Sequence, residues 1–208
     1  MHWDLIKNYP DIKSGSAILR NREKLELRNL IVMILLTLFI LIFIVLAIFT
    51  SRSISPIPYF PSNKKDIPGI VKMLKLQNDQ IIYDLGAGDG IVIFAAATAA
   101  KHKKLNTQFI AVEINPVLLA ILWTRRLLHP NRINIRIVHA DIFSLRYALH
   151  ATRYTIFAYI SPWYLEKVFK NCKFQISNFK FISYFYPVPK LKPSRTIKGV
   201  HNTYIYNV

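Results

Sequence analysis

The chain has 208 residues, with 28 Lys and Arg against 11 Asp and Glu, a formal net charge of +17. The excess is uneven: residues 1–50 hold six basic and four acidic residues, net +2, and residues 51–208 hold 22 and 7, net +15. A domain that basic is drawn to nucleic acid or anionic lipid, or it simply carries a solvated lysine-rich surface. The lone Cys172 excludes an internal disulfide framework, and no Cys/His set has metal-ligand spacing, so no metal is expected.

Residues 1–29 mix charges with short apolar runs and are expected to form an N-terminal tail. Its last part, "SAILRNREKLELRNL", fits an amphipathic helix or a loose segment equally well. Residues 30–49, "LIVMILLTLFILIFIVLAIF", contain no charge and one hydroxyl, Thr37. At about 1.5 Å per residue, twenty such residues span about 30 Å, the hydrocarbon thickness of a bilayer. Core helices are rarely apolar all round for five turns. A cleaved signal peptide would be shorter, start earlier and end on a small-x-small site. The segment is therefore predicted to be a transmembrane helix. Arg20, Arg22, Lys24 and Arg28 flank one end and Arg52, Lys64 and Lys65 the other, a count that slightly favours the N-terminus inside. Residues 50–61 include "SRSISPIPYFP", whose three prolines and three serines predict a linker.

The remainder, residues 62–208, alternates between two periodicities. Helices are predicted over 67–76, 91–101, 116–129 and 163–171. Short apolar runs over 81–86, 109–114, 134–140, 154–160 and 179–186 predict buried strands, and the C-terminus predicts a strand pair around Gly199–Asn202. Strands alternating with helices imply a mostly parallel, Rossmann-like α/β sheet of seven strands covered on both faces, closed by an antiparallel hairpin.

The first predicted strand runs into "YDLGAGDG", Tyr83 to Gly90. Gly86 and Gly88 allow a sharp turn with backbone close to a ligand, and Gly90 lets the next helix start against the sheet. Ligands of such sheets bind at the carboxyl ends of strands. Glu113 ends the second strand, where an acid can accept from both hydroxyls of a ribose. A dinucleotide would place its pyrophosphate on the helix N-terminus, but Asp84 and Asp89 crowd that position with negative charge. S-adenosylmethionine carries an ammonium and a sulfonium instead, and the acids suit it. Asp141 ends the third strand, where it either takes an adenine amino group or caps a following helix. At the end of the fourth strand stands "SPWY", Ser161 to Tyr164.

The stretch "IPYFPSNKKDIPGIVKMLKLQNDQIIYDLGAGDGIVIFAAA", with "AVEINP" and the closing "HNTYIYNV", resembles a family of small seven-strand protein-lysine methyltransferases. That family includes a broad-specificity archaeal enzyme and mitochondrial enzymes acting on the ATP synthase c subunit and the adenine nucleotide translocase. Its Pro-Tyr-x-Pro-Thr element matches Pro58, Tyr59, Phe60, Pro61 and Ser62, with serine for threonine. In its loop, Ala87 replaces a cysteine and Ile91 an arginine. Its late Gly-Trp-x-Pro element is only hinted at by "KLKPS", Lys190 to Ser194. The mitochondrial members also carry an apolar segment before the domain. The resemblance implies an S-adenosylmethionine-dependent methyltransferase, with Asp84, Gly86, Gly88, Glu113 and Asp141 holding the cofactor. Tyr59, Tyr159, Trp163 and Tyr164 are candidates for an aromatic slot that desolvates the substrate amine. The implied partners are the membrane, through one helix, and a membrane-associated protein substrate. The domain would face the cytoplasm or the mitochondrial matrix, where S-adenosylmethionine is present. The alternatives are a nucleic-acid N-methyltransferase, since "SPWY" falls where those enzymes carry Asn/Asp/Ser-Pro-Pro-aromatic, and a methyltransferase of a small molecule or lipid.

Overall fold

A computed structural model describes residues 10–51, 56–146 and 153–208. They fall into two compact units, one helical and running to Ala47, the other spanning Ile48–Val208. The first helix, α1, runs from Pro10 to Thr50 without a break. The charged stretch before the apolar run is thus helical, and the tail expected over residues 1–29 has this structure from Pro10 onward. Residues 1–9 and 52–55, the latter within the expected linker, lie outside the described residues. From Leu19 to Phe49, α1 is long and apolar enough to cross a membrane, with none of its most apolar window buried in protein. The one hydroxyl of the apolar run 30–49 is satisfied internally, because Thr37 Oγ donates to the Met33 carbonyl at 2.8 Å. In lipid an unpaired hydroxyl would be costly.

The second unit holds a seven-stranded sheet. Its strands are β1 (Gln80–Leu85), β2 (Gln108–Glu113), β3 (Ile135–His139), β4 (Arg153–Ala158), β5 (Phe179–Tyr184), β6 (Arg195–Ile197) and β7 (Thr203–Asn207). The spatial order is β3-β2-β1-β4-β5-β7-β6. The first five strands pair in parallel, and β7 inserts antiparallel between β5 and β6. Chain order reverses between β1 and β4, so a crevice opens at the carboxyl end of β1. Every residue of β1 is buried, which is why it reads as an unbroken apolar run with one aspartate in it.

Helices α2 (Ile67–Leu74), α3 (Ile91–His102) and α4 (Pro116–Leu128) cover one face of the sheet. Ile70, Leu74, Ile93, Phe94, Leu119 and Leu122 form that core. The fifth helix, α5 (Pro162–Gln175), covers the opposite face through Leu165, Val168, Phe169 and Cys172. It runs four residues beyond the predicted end, and the buried Cys172 lies in that extension. Conversely, β5 ends two residues early, because Phe185 turns to φ 74° and its N–H donates to the Asn202 carbonyl at 2.8 Å.

One carboxylate ties α2 to the C-terminal hairpin. Asp66 accepts from Tyr184 Oη at 2.7 Å, Val200 N at 2.7 Å and His201 N at 2.9 Å. Burial pushes its carboxyl up, but the Tyr184 hydroxyl and the two backbone N–H groups outweigh burial and hold it below the ordinary range.

Candidate active site

The backbone N–H groups of Gly86 and Ala87 both donate to the Val112 carbonyl at 3.0 Å, which pins the glycine loop over the end of β2. Gly86, Gly88 and Gly90 have φ of 72°, 60° and 76°. Gly88 is also constrained by packing, since a Cβ there would lie 2.6 Å from the Tyr59 ring. Only glycine fits that conformation beneath that ring.

Three carboxylates surround the loop, each with a different occupation. Glu113 accepts from Gly88 N at 2.8 Å through Oε2, and from Ile114 N and Asn115 N at 2.9 Å through Oε1. A carboxylate offers about four acceptor positions, so about one remains, on Oε2. Accepting from two ribose hydroxyls therefore requires the Gly88 N–H to let go. Asp89 caps α3 through Ile91 N at 3.1 Å and pairs with Arg125 at 2.9 Å. Its charge is thus compensated by Arg125, and it repels a phosphate less than the sequence suggests. Its side chain nevertheless occupies the helix N-terminus that a pyrophosphate would use. Asp84 is buried, and among the described residues no donor reaches its carboxyl. Burial, then the charges of Glu113 and Asp89, push Asp84 up to about 8. A buried acid without a donor at a ligand-binding turn suits a cationic group.

A narrow cleft extends from this loop. Gly86, Gly88 and Glu113 form its base, and Ile114, Leu118, Ile142 and Ile160 give it apolar walls. Asp141 lines it as well, with Oδ1 accepting from Phe143 N at 2.9 Å. That bond closes a turn, and no helix follows among the described residues, so Asp141 is not a helix cap there. A neighbouring cavity contains Asp84, Asp89, Ala87 and Val92. Tyr59 and Tyr159 line both spaces. The arrangement has a polyol acceptor in the middle, an apolar slot on one side and an unpaired acid on the other. That matches the ribose, adenine and ammonium of S-adenosylmethionine.

The four aromatic candidates divide. Tyr59 and Tyr159 meet at the site, and burial raises both hydroxyl pKa values, with the charge of Asp89 adding to Tyr59 and Tyr186 to Tyr159. Tyr164 packs on Phe143 at 5.3 Å and does not line the cleft. Trp163 is 82% exposed and lies outside it. Tyr159 is also part of an aromatic cluster that sequence reading missed, whose other members do not line the cleft. Tyr159 meets Tyr184 edge-on at 4.9 Å and Phe185 at 6.2 Å, while Phe185 packs on Tyr186 at 4.4 Å and on His201 at 4.3 Å. The signal was the run "SYFYP" at the end of β5. The apolar walls Ile114 and Ile142 were also missed, because isoleucine beside a strand reads as core.

Among the described residues, no group of three or more His, Cys, Asp or Glu is placed to hold a metal ion. No protein-family model matches the chain. It is 39% identical over 59 residues to a protein-lysine N-methyltransferase of Saccharolobus islandicus. That match covers 28% of this chain and about a third, 34%, of the relative. Among solved structures, an RNA methyltransferase of Salinibacter ruber in complex with S-adenosyl-L-homocysteine superposes with TM-score 0.61 at 21% identity, over 71% of this chain and 93% of that one. A SAM-dependent O-methyltransferase of Thermotoga maritima superposes with TM-score 0.53 at 14% identity, over 72% and 66%. The chain has the seven-stranded, mostly parallel α/β methyltransferase fold with its antiparallel C-terminal hairpin.

Proposed function

We propose that the protein is an S-adenosylmethionine-dependent methyltransferase anchored to a membrane by α1, and that it methylates lysine on a membrane-associated protein. The observation that carries the cofactor assignment is the buried Asp84 carboxyl, with no donor among the described residues, beside the ribose-acceptor position of Glu113. The fold and the match to a lysine methyltransferase support it. When bound, the cofactor supplies an electrophilic methyl group on a sulfonium. The chain's part is to hold that methyl in line with the acceptor and exclude water. Asp84 would bind the ammonium, Glu113 the ribose and Asp141 the adenine edge. Tyr59 and Tyr159 would line the amine's approach. Their apolar surroundings would lower the lysine pKa and keep the nitrogen lone pair free for attack.

A nucleic-acid substrate is the second reading, favoured by the +15 of residues 51–208. It is weakened because Trp163 stands in place of the motif's second proline and the motif's aromatic, Tyr164, packs on Phe143 and does not line the cleft. The two readings separate when membranes containing the full chain are incubated with methyl-labelled S-adenosylmethionine and hydrolysed. Labelled methyl-lysine in the integral protein fraction is expected. Label confined to nucleosides or to lipid would refute the lysine assignment.

A further inference from the structure

The outward side of α4 breaks the usual pattern of a surface helix. Such helices put apolar residues inward and charged ones outward. On α4 the inward side is Leu118, Leu119 and Leu122, as expected. The outward side is Ala120, Ile121, Trp123, Thr124, Leu127 and Leu128, all exposed. At about 100° per residue these positions fill roughly half the circumference. Thr124 is the one polar residue among them, and its hydroxyl is spent on the Ala120 carbonyl at 2.9 Å. Leu128 is 83% exposed, and Ile133, in the 3-10 turn just beyond the helix, is 91% exposed. A helix apolar on both sides is normally covered on both.

The surroundings indicate what covers it. Between Glu113 and Asp141 the sequence contains no acidic residue and four arginines, of which Arg125 is paired with Asp89 and Arg126, Arg132 and Arg136 add to the basic rim. The Arg126 guanidinium stands 5.4 Å from the Trp123 ring centroid. At the far end of the helix, Lys101 Nζ donates to the Pro130 carbonyl at 2.7 Å, which brings the exposed end of α3, with Lys103 and Lys104, to the same rim. An exposed Trp and several Leu and Ile ringed by Arg and Lys is the composition of a surface that sinks into the headgroup region of an anionic bilayer. The long basic side chains would reach the phosphates while their stems lie along the apolar patch. The same chain carries a helix of membrane-spanning length.

We infer that the outward face of α4, with Ile133, is a docking surface for the headgroup layer of an anionic membrane. The opposite side of the sheet does not offer an equivalent. On α5 the exposed Trp163 and Phe174 are separated by Lys167 and Lys170, and Lys170 pairs with Glu166 at 2.8 Å, as on an ordinary solvated helix. Docking through α4 would bring the cleft close to the bilayer, because the helix begins at the cleft and Leu118 lines it.

The inference is independent of methyl transfer and is tested without it. The full chain is reconstituted at low protein density into vesicles with brominated acyl chains, either of phosphatidylcholine alone or enriched in phosphatidylserine. Trp3→Phe with Trp163→Phe leaves Trp123 as the one emitter, and Trp3→Phe with Trp123→Phe leaves Trp163. Trp123 is expected to be quenched several-fold more than Trp163. The effect should strengthen with phosphatidylserine and weaken with added salt. Leu127→Glu with Leu128→Glu, both at exposed positions, should abolish the excess. Trp123 quenched no more than Trp163, or equally in both lipids, overturns the inference. Shielding of Trp123 that appears only as protein density rises also overturns it, in favour of a second copy on this face. Flotation of the same vesicles reports insertion of α1 separately.

Discussion

At the scale of single residues, the proposed ammonium site at Asp84 has consequences for pH and ligand binding. Its folded value of about 8 lies above the roughly 3.9 of an unfolded aspartate. A raised folded pKa gives stability that is full below the unfolded value and is lost as pH rises through the folded one. The free protein should therefore lose stability between about pH 4 and pH 8 on account of this group. Asp84→Asn should flatten that loss, melting higher than the parent near pH 8 in thermal scans. The same substitution should weaken S-adenosylmethionine binding by about 1.5–3 kcal/mol, the scale of a hydrogen bond to a charged group. A cationic ligand favours the ionised carboxyl, so binding below pH 8 should release a proton. Calorimetry in two buffers of different ionisation enthalpy would detect it, and the release should vanish in Asp84→Asn. Gly88→Ala should abolish binding outright, because its Cβ would collide with the Tyr59 ring in a backbone conformation that disfavours any side chain.

At the scale of elements, the rhythm of the sequence carried most of the fold. The parallel strands were readable because buried strands are unbroken apolar runs, and the loop was readable because three glycines at alternate positions have few other uses. The sheet order that puts β4 beside β1 comes from pairing across seventy residues and leaves no local trace. The same holds for the clamp at Asp66, whose partners Tyr184, Val200 and His201 lie more than a hundred positions away. The candidate site was legible where it is polar, in that Glu113 and Asp141 line the cleft and Asp84 the cavity beside it. It was obscure where it is apolar, because the walls of a cleft and the interior of a core use the same residues. Trp163 shows the converse, since adjacency to a strand end suggested a place in the cleft and the residue lies exposed outside it on α5. The clamp itself should be measurable. Asp66→Ala would leave the hairpin N–H groups and the Tyr184 hydroxyl without their acceptor and should cost about 2–4 kcal/mol in chemical denaturation. Because Asp66 is held below the ordinary carboxylate range, its contribution is present at neutral pH and should fade as pH falls below about 4.

At the scale of the whole molecule, a helix long and apolar enough to cross a membrane and a basic domain sit on one chain. Anchoring raises the effective concentration of partners in the same membrane and does nothing for soluble ones. If the proposed membrane-associated substrate is right, deleting residues 1–50 should leave cofactor affinity unchanged and sharply reduce its methylation in cells. Equal methylation by the truncated and full chains would show that the anchor only localises the protein. The domain should also be resistant to protease added on the side that lacks S-adenosylmethionine, which protection assays on sealed membranes can score.

The proposed function rests on the glycine loop, Asp84 and Glu113 forming an S-adenosylmethionine site. Isothermal titration of the full chain, held in detergent or nanodiscs, with S-adenosylmethionine and with S-adenosyl-L-homocysteine tests it most directly. The account predicts one site per chain for each ligand, weakened by about 1.5–3 kcal/mol in Glu113→Ala. The homocysteine product should bind through the same loop without needing the sulfonium charge. Absence of binding by both ligands, or affinities unchanged in both Glu113→Ala and Asp84→Ala, would contradict it.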